Sequence, residues 1–258
     1  MDIGSIGGIL LAVIGILAGM MIEGGQIGQI TKPTAAMIVL GGTIGAVMLQ
    51  FPLSIFIDAL KSIVRVFLTK AADNETVLKQ IVGFANKARK DGIVSLDGEL
   101  KSVQDPFMKQ ALMLAVDGTD PNEVRKIMQL ELDNKAAHLE KIPQVFESAG
   151  GYSPTVGIIG AVIGLIQVMQ HLDDITEVGR GIATAFVATI YGVAFANLIC
   201  LPAAGKLKIR NHEEDMAKEM MLEGVISILE GMNPRMIELK LRTYLHGHGD
   251  PTEAEGAK

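Results

Sequence analysis

The residues of this chain best suited to chemistry are hydroxyls and amides set inside apolar runs: Thr43, Gln50, Gln167, Thr184, Thr189, Tyr191 and Asn197. In such a setting these groups do one of two things. They glue helices together, at about 0.6 kcal/mol on average per hydrogen bond, or they line a polar path whose titrating acid comes from another chain. An ionisable residue in mid-bilayer is expensive and persists only where it is used. The apolar runs of this chain contain no Asp, Glu, Lys or Arg in their interiors. Elsewhere the chemistry is thinner. His246, His248 and Asp250 alternate with glycines near the end and resemble a metal motif only loosely, and His171, Asp173 and Asp174 fall in a polar turn. No glycine-rich loop followed by Lys-Ser/Thr marks a nucleotide site. The single cysteine, Cys200, lies in an apolar run without a paired base, which fits a small buried side chain and not a nucleophile. Nothing in the sequence argues for an enzyme, a metal or a cofactor.

The elements that must position these groups are four apolar stretches, at Ile3–Ile22, 33–51, 153–169 and 181–202. Each is close to the ~20 residues that cross a ~30 Å hydrocarbon core. They predict an all-α integral membrane protein with four transmembrane helices, a helical cytoplasmic domain between helices 2 and 3, and a helical cytoplasmic C-terminal tail. The predicted segments are 1–52 (first hairpin), 53–150 (cytoplasmic domain), 151–203 (second hairpin) and 204–258 (tail with a polar, disordered end). Met1-Asp2 lacks the positive start of a signal peptide, so the first stretch is expected to be retained.

Composition agrees. Mean hydropathy is +0.36, and the absence of Trp leaves almost no aromatic belt. A net charge of -6 argues against nucleic-acid binding. Lys61, Arg65, Lys206, Lys208 and Arg210 follow helices two and four, whereas the short connections hold only Lys32 and Arg180. That asymmetry predicts both termini and the large insert on the cytoplasmic side.

Along the chain, Pro33 suits the first position of helix two, and 53–68 reads as an amphipathic helix continuing helix two or lying at the membrane surface. Soluble helices are expected from about 73 to 91, 106 to 116 and 121 to 138, then from 203 to 230 and 235 to 245. Gly157, Gly160 and Gly164 form a small-residue face suited to tight helix packing. Gly150, Gly151 and Pro154, and likewise Pro202, are expected to break their helices at the membrane boundary, as simple helix ends or as hinges. Arg89, Lys90, Asp91, Asp97 and Glu99 surround a glycine turn, either as a solvated helix end or as a docking surface for a charged partner.

Three segments carry a resemblance to a known family: Ala88-Arg-Lys-Asp-Gly-Ile-Val-Ser-Leu96, Gly151-Tyr-Ser-Pro-Thr-Val-Gly-Ile-Ile-Gly160 with Gly164, and Glu230-Gly-Met-Asn-Pro-Arg-Met-Ile-Glu238. The chain resembles the MotA/PomA stator subunits of the bacterial flagellar motor, within the MotA/TolQ/ExbB proton channel superfamily. The likeness extends nearly to Leu245. It implies a multi-pass protein of the bacterial inner membrane that forms a homo-oligomer, expected as a pentamer, around a MotB/PomB-like dimer supplying the ion-binding Asp. The missing intramembrane acid here would then be the partner's. The resemblance assigns Pro154 and Pro202 to hinges, and Gly157, Gly160 and Gly164 to packing against the partner helix. It assigns Arg89, Lys90, Asp97 and Glu99 to the surface that engages the rotor protein FliG. Gly98 departs from the family, which often has a second acid there.

The same resemblance places Ala161, Thr184, Ala188 and Thr189 along the ion path. Sodium-using members have Thr where Ala161 and Ala188 stand here. The loss of two hydroxyl ligands leaves too few oxygens for a dehydrated sodium ion, so H+ is expected and Na+ is not. The competing readings are an ExbB/TolQ-type energiser of another envelope machine, which would lack the first hairpin, and a non-conducting membrane scaffold. A small-solute transporter would show internal symmetry between the hairpins, and none is visible.

Overall fold

The computed structural model describes residues 3–68 and 74–245, and those residues are helical with no strand among them. The order is α1 (Ile3–Ile22), α2 (Ile27–Ile30), α3 (Pro33–Gln50), α4 (Leu53–Leu68), α5 (Asn74–Asp91), a 3-10 segment (Ile93–Glu99), α6 (Pro106–Val116), α7 (Pro121–Gln170), α8 (Ile175–Ala194), a π segment (Phe195–Cys200), α9 (Leu201–Leu229) and α10 (Pro234–Leu245). The His246–Asp250 motif lies outside the described residues.

Local chemistry sets the boundaries. Gly24, at φ 84°, ends α1 by accepting the left-handed conformation that lets the Gly25 amide reach back to the Met20 carbonyl at 2.9 Å. Pro33, Pro106, Pro121 and Pro234 open their helices, where a missing N–H is harmless. Asp105 caps α6 by accepting from the Met108 amide at 3.0 Å. Asp174 caps α8 by accepting from the Thr176 and Glu177 amides.

The chain forms two compact units, residues 1–70 with 139–209 and residues 71–138 with 210–258. These divide by packing, whereas the predicted segments were drawn at the ends of the apolar stretches. Four helices are long and apolar enough to cross a membrane, and the first unit holds α1, α3, the 139–170 part of α7 and the 175–209 part of the α8–α9 run. Its interior has two patches. Val47, Ile55, Ala59 and Val66 pack with Leu139, Ile142, Val145, Phe146, Ala204 and Leu207, and Ala35 and Val39 of α3 pack with Val187 and Ala188 of α8. α1 buries nothing along its apolar window, and Leu11 and Ile14 are exposed. A surface this apolar is stable against lipid, not water.

The second unit has an ordinary soluble core. Ile81 and Phe84 of α5, Leu96, Met108 and Leu112 of α6, Val124 and Met128 of α7, Met220 and Ile226 of α9, and Ile237 and Leu241 of α10 enclose it.

Two predicted breaks are corrected. α7 does not stop near His138 and start again after Pro154; it runs for 50 residues through both Pro143 and Pro154. Leu139, Ile142, Val145 and Phe146 recur at helical spacing and are buried, which pays the helix through this stretch. Pro154 withdraws the N–H that would reach back to the Gly150 carbonyl, and close packing on α8, where a Cβ on Gly192 would lie 3.2 Å from Cα of Pro154, holds the helix through it. Pro202 does not end its helix either. The preceding π segment bonds one residue further back, with the Leu201 amide donating to the Ala196 carbonyl, and carries the chain past the residue that lacks an N–H.

Candidate functional site

The second apolar hairpin is built on missing side chains. A Cβ on Gly157 would lie 2.9 Å from the Ala188 carbonyl oxygen, one on Gly160 2.8 Å from Cβ of Ala188, and one on Gly164 2.9 Å from the Gly181 carbonyl oxygen. From the other side, a Cβ on Gly192 would lie 2.5 Å from the Ser153 carbonyl oxygen. The glycine face expected to meet a partner helix is therefore filled by α8 of the same chain. The reason is geometric: α7 and α8 both carry small residues at the same levels, and van der Waals packing is the main attraction between helices in lipid.

The four residues expected along an ion path are not equivalent. Ala188 is 0% exposed, held between Gly157, Gly160 and the Ala35/Val39 stripe of α3. Ala161, Thr184 and Thr189 are half-buried. The Thr184 hydroxyl donates to the Arg180 carbonyl at 2.9 Å and the Thr189 hydroxyl to the Ala185 carbonyl at 3.3 Å. Asn197 likewise donates to Val193 at 2.9 Å. All three bond within their own helix, which leaves the oxygens' remaining lone pairs for another partner and removes these residues from the role of interhelical glue.

That role belongs elsewhere. The Ser153 hydroxyl donates to the Gly192 carbonyl at 3.0 Å, and the Tyr152 hydroxyl donates to Oε1 of Gln50 at 2.9 Å. The Tyr191 hydroxyl donates to the Ile30 carbonyl at 2.6 Å and accepts from the Lys32 amide at 3.2 Å. Sequence reading listed Tyr191 and Gln50 without pairing them, since nothing local links positions more than a hundred residues apart. Thr43 is buried in α3 with its hydroxyl unpartnered among the described residues.

In the second unit, Arg89 and Lys90 are exposed in the last turn of α5, where positive charge complements the helix dipole. Gly92, at φ 82°, then turns the chain into the 3-10 segment, which is pinned by Leu96 at 0% exposure and by the Ser95 hydroxyl on the Gly92 carbonyl at 2.6 Å. Asp97 is exposed on this segment. Glu99 is different: Lys87 holds it at 2.6 Å, and that hydrogen bond and charge draw its carboxyl below the usual range. Arg89, Lys90 and Asp97 thus present charge outward, and the Lys87–Glu99 pair ties the 3-10 segment that carries Asp97 to α5, which carries Arg89 and Lys90.

A cluster that sequence reading missed lies deeper in this unit. Lys218, 5% exposed, meets Glu214 at 2.5 Å, and Lys135 meets the same carboxylate at 3.0 Å. Burial pushes the Glu214 carboxyl up, but the hydrogen bonds from Lys218 and Lys135 outweigh it and hold the group at about 2. Glu223 is similarly shared by Arg125 and Lys240, which overcome its burial. The Glu214–Lys218 spacing is legible in sequence; the contribution of Lys135 is not.

Four apolar spans with no charge in their interiors, a small-residue hairpin and a block presenting charge define a multi-pass membrane protein of the channel-subunit class. A family described as the MotA/TolQ/ExbB proton channel family matches residues 99–220, and one described as motility protein A N-terminal matches residues 6–92. Motility protein A of Bacillus subtilis is 36% identical over 247 residues, covering 95% of this chain and 91% of that protein. The structure of C. jejuni MotAB superimposes with a TM-score of 0.92 at 30% identity, covering 97% of this chain and 98% of that one. The flagellar MotAB stator complex from Bacillus subtilis gives 0.86 at 35% identity, with 92% and 94% covered. The chain belongs to the motility protein A family, a family of motor and channel subunits and not of enzymes.

Proposed function

We propose that this chain is a stator subunit of the bacterial flagellar motor that forms, with a MotB/PomB-like partner, a channel coupling proton flow to torque. What carries the reading is the likeness to two MotAB structures over more than nine-tenths of the chain, together with four spans that contain no acid in their interiors. A channel built from this subunit needs its carboxylate from elsewhere, and a partner helix with an ionisable Asp supplies it. The subunits form a pentamer around a partner dimer in the inner membrane, with both termini, the 53–150 block and the 204–258 tail in the cytoplasm.

The partner helix packs on the exposed ridge of α7 formed by Ile158, Val162, Leu165 and Met169, since the glycines are occupied. Ala161, Thr184 and Thr189 flank the ion, with Ala188 behind them. The missing hydroxyl at 161, the one of the two alanine positions that is not buried, favours H+ over Na+. Moving one charge through 100 mV releases about 2.3 kcal/mol, which shifts a two-state equilibrium roughly forty-fold. Burying a charged Asp in mid-membrane costs about 2.5–3.5 kcal/mol on insertion scales. The two are matched, so one proton resets the partner helix. Pro154 and the π segment before Pro202 are where the helices yield, and Arg89, Lys90 and Asp97 bear on FliG. The first hairpin counts against an ExbB/TolQ-type energiser.

The test is swimming in a stator-deleted motile host that expresses the chain with its own partner. Speed that falls with protonophore and ignores sodium supports the reading. Speed that follows sodium keeps the stator and sinks the ion assignment. A complex that assembles and fits the rotor yet yields no motion favours the scaffold.

A further inference from the structure

The start of α3 has no side-chain cap of its own: Lys32 precedes Pro33 in an extended conformation and makes no capping bond. Two backbone groups flank this corner, the Ile30 carbonyl and the Lys32 amide, and both are satisfied by one atom, the hydroxyl oxygen of Tyr191 on α8. A phenol suits the task because it donates and accepts at once. The ring is half-buried and packs on the Ala35, Val39, Val187 and Ala188 patch. Tyr191 follows Ala188 by three residues and Thr189 by two, so the contact lies within one helical turn of the candidate ion path. The far end of α3 is tied as well, by the Tyr152 hydroxyl on Gln50. Two of the three tyrosines in the chain thus fasten α3 to the second hairpin.

We infer that Tyr191 is a positioning residue for the ion path: its hydroxyl locks the α2–α3 corner to α8 and so holds the Ala188–Thr189 turn in place against the moving partner helix. This rests on the channel reading above. It gives the first hairpin a mechanical task, as backing for α8, where exposure alone would leave it a lipid anchor.

The experiment uses the whole complex of this chain with its own MotB-type partner in proteoliposomes, reading proton uptake and amide exchange together. Tyr191→Phe keeps the ring and removes the hydroxyl. The expected result is a normally assembled complex whose Lys32 amide exchanges about tenfold faster and whose proton uptake falls by about tenfold, the change one net hydrogen bond carries. Tyr152→Phe, at the other end of α3, should leave Lys32 exchange unchanged. Faster exchange with undiminished uptake would overturn the positioning role and leave a purely structural tie. Unchanged exchange would overturn the tie itself. A wild-type complex that carries no protons sinks the channel reading, while exchange still decides the tie. Should Tyr191→Phe fail to assemble, Ile30→Cys with Tyr191→Cys in a Cys200→Ala background replaces the bond by a short bis-methanethiosulfonate bridge. Uptake must then rise on bridging and fall on reduction; uptake indifferent to the bridge refutes the proposal.

Discussion

Gly192→Ala tests the α7–α8 seat most severely. The added Cβ would sit 2.5 Å from the Ser153 carbonyl oxygen and 3.2 Å from Cα of both Gly157 and Pro154. All three neighbours are backbone atoms, so no flexible side chain can swing away. Restoring ordinary contact at 3.4 Å requires α8 to retreat by 3.4 minus 2.5, about 0.9 Å, at its tightest point. Overpacking of this kind costs about 1–3 kcal/mol. The retreat also stretches the Ser153–Gly192 hydrogen bond, adding about 1 kcal/mol, while the better helix propensity of Ala returns about 1 kcal/mol. The net expectation is a loss of about 1–3 kcal/mol. Gly45→Ala in α3, where a Cβ meets nothing within 4 Å, keeps the propensity gain and pays no clash. Denaturant unfolding of the two purified variants in detergent measures the difference directly. A Gly192→Ala protein as stable as Gly45→Ala would refute the seat, because the same arithmetic leaves it no other explanation.

Arg89→Ala and Asp97→Ala, both at exposed positions, should change stability by less than about 0.5 kcal/mol yet slow swimming in the stator-deleted host; a loss of folded protein would show that they are structural. Lys87→Met releases Glu99, and accelerated proteolysis within the 93–99 segment checks the brace. Glu214→Gln should destabilise the second unit by about 1–2 kcal/mol, discounted for the partial exposure of the cluster, read as a lower melting temperature. The Glu214 carboxyl is depressed from 4.5 to about 2, so its stabilisation is complete above 4.5 and is lost as pH falls towards 2. The wild type should therefore lose more stability over that window than Glu214→Gln, and parallel melting curves would contradict the cluster.

The four spans were legible because twenty uncharged residues have few other uses, and the starts of α3 at Pro33, α6 at Pro106 and α7 at Pro121 were legible because their signals are local. What failed to show was long-range. Proline and paired glycine around 150–154 read as a stop, since the sequence does not reveal that α8 packs against this stretch closely enough to hold the helix through Pro154. The glycine face of α7 announced a close neighbour but not which one, and α8 outcompetes an external helix by being tethered four residues away. The residues that cross-link helices, Tyr152, Ser153 and Tyr191, look no different in sequence from Thr184, Thr189 and Asn197, which bond to themselves. Resemblance supplied the positions of the charged surface; only packing distinguished Glu99, bound to Lys87, from Arg89 and Asp97.

The π segment acts as a phase-setter. Its wider turn accommodates one residue more than an α-helix would over the same length, and each residue in an α-helix advances the face by about 100°. Ala204 and Leu207 lie just beyond it, buried against α4 and α7, while Gly205 and Lys208 of the same turns are exposed. Deleting a single residue from 195–200 would close the segment into an α-helix and leave the next turns facing as they do, with Leu207 still on its patch, but it would bring the Pro202 ring against the carbonyl four residues before it. A one-residue deletion within Ile175–Ala194, outside the wider turn, would instead swing the following turns by that angle and carry Lys208 towards the patch, and should be far more damaging than the same deletion within 195–200.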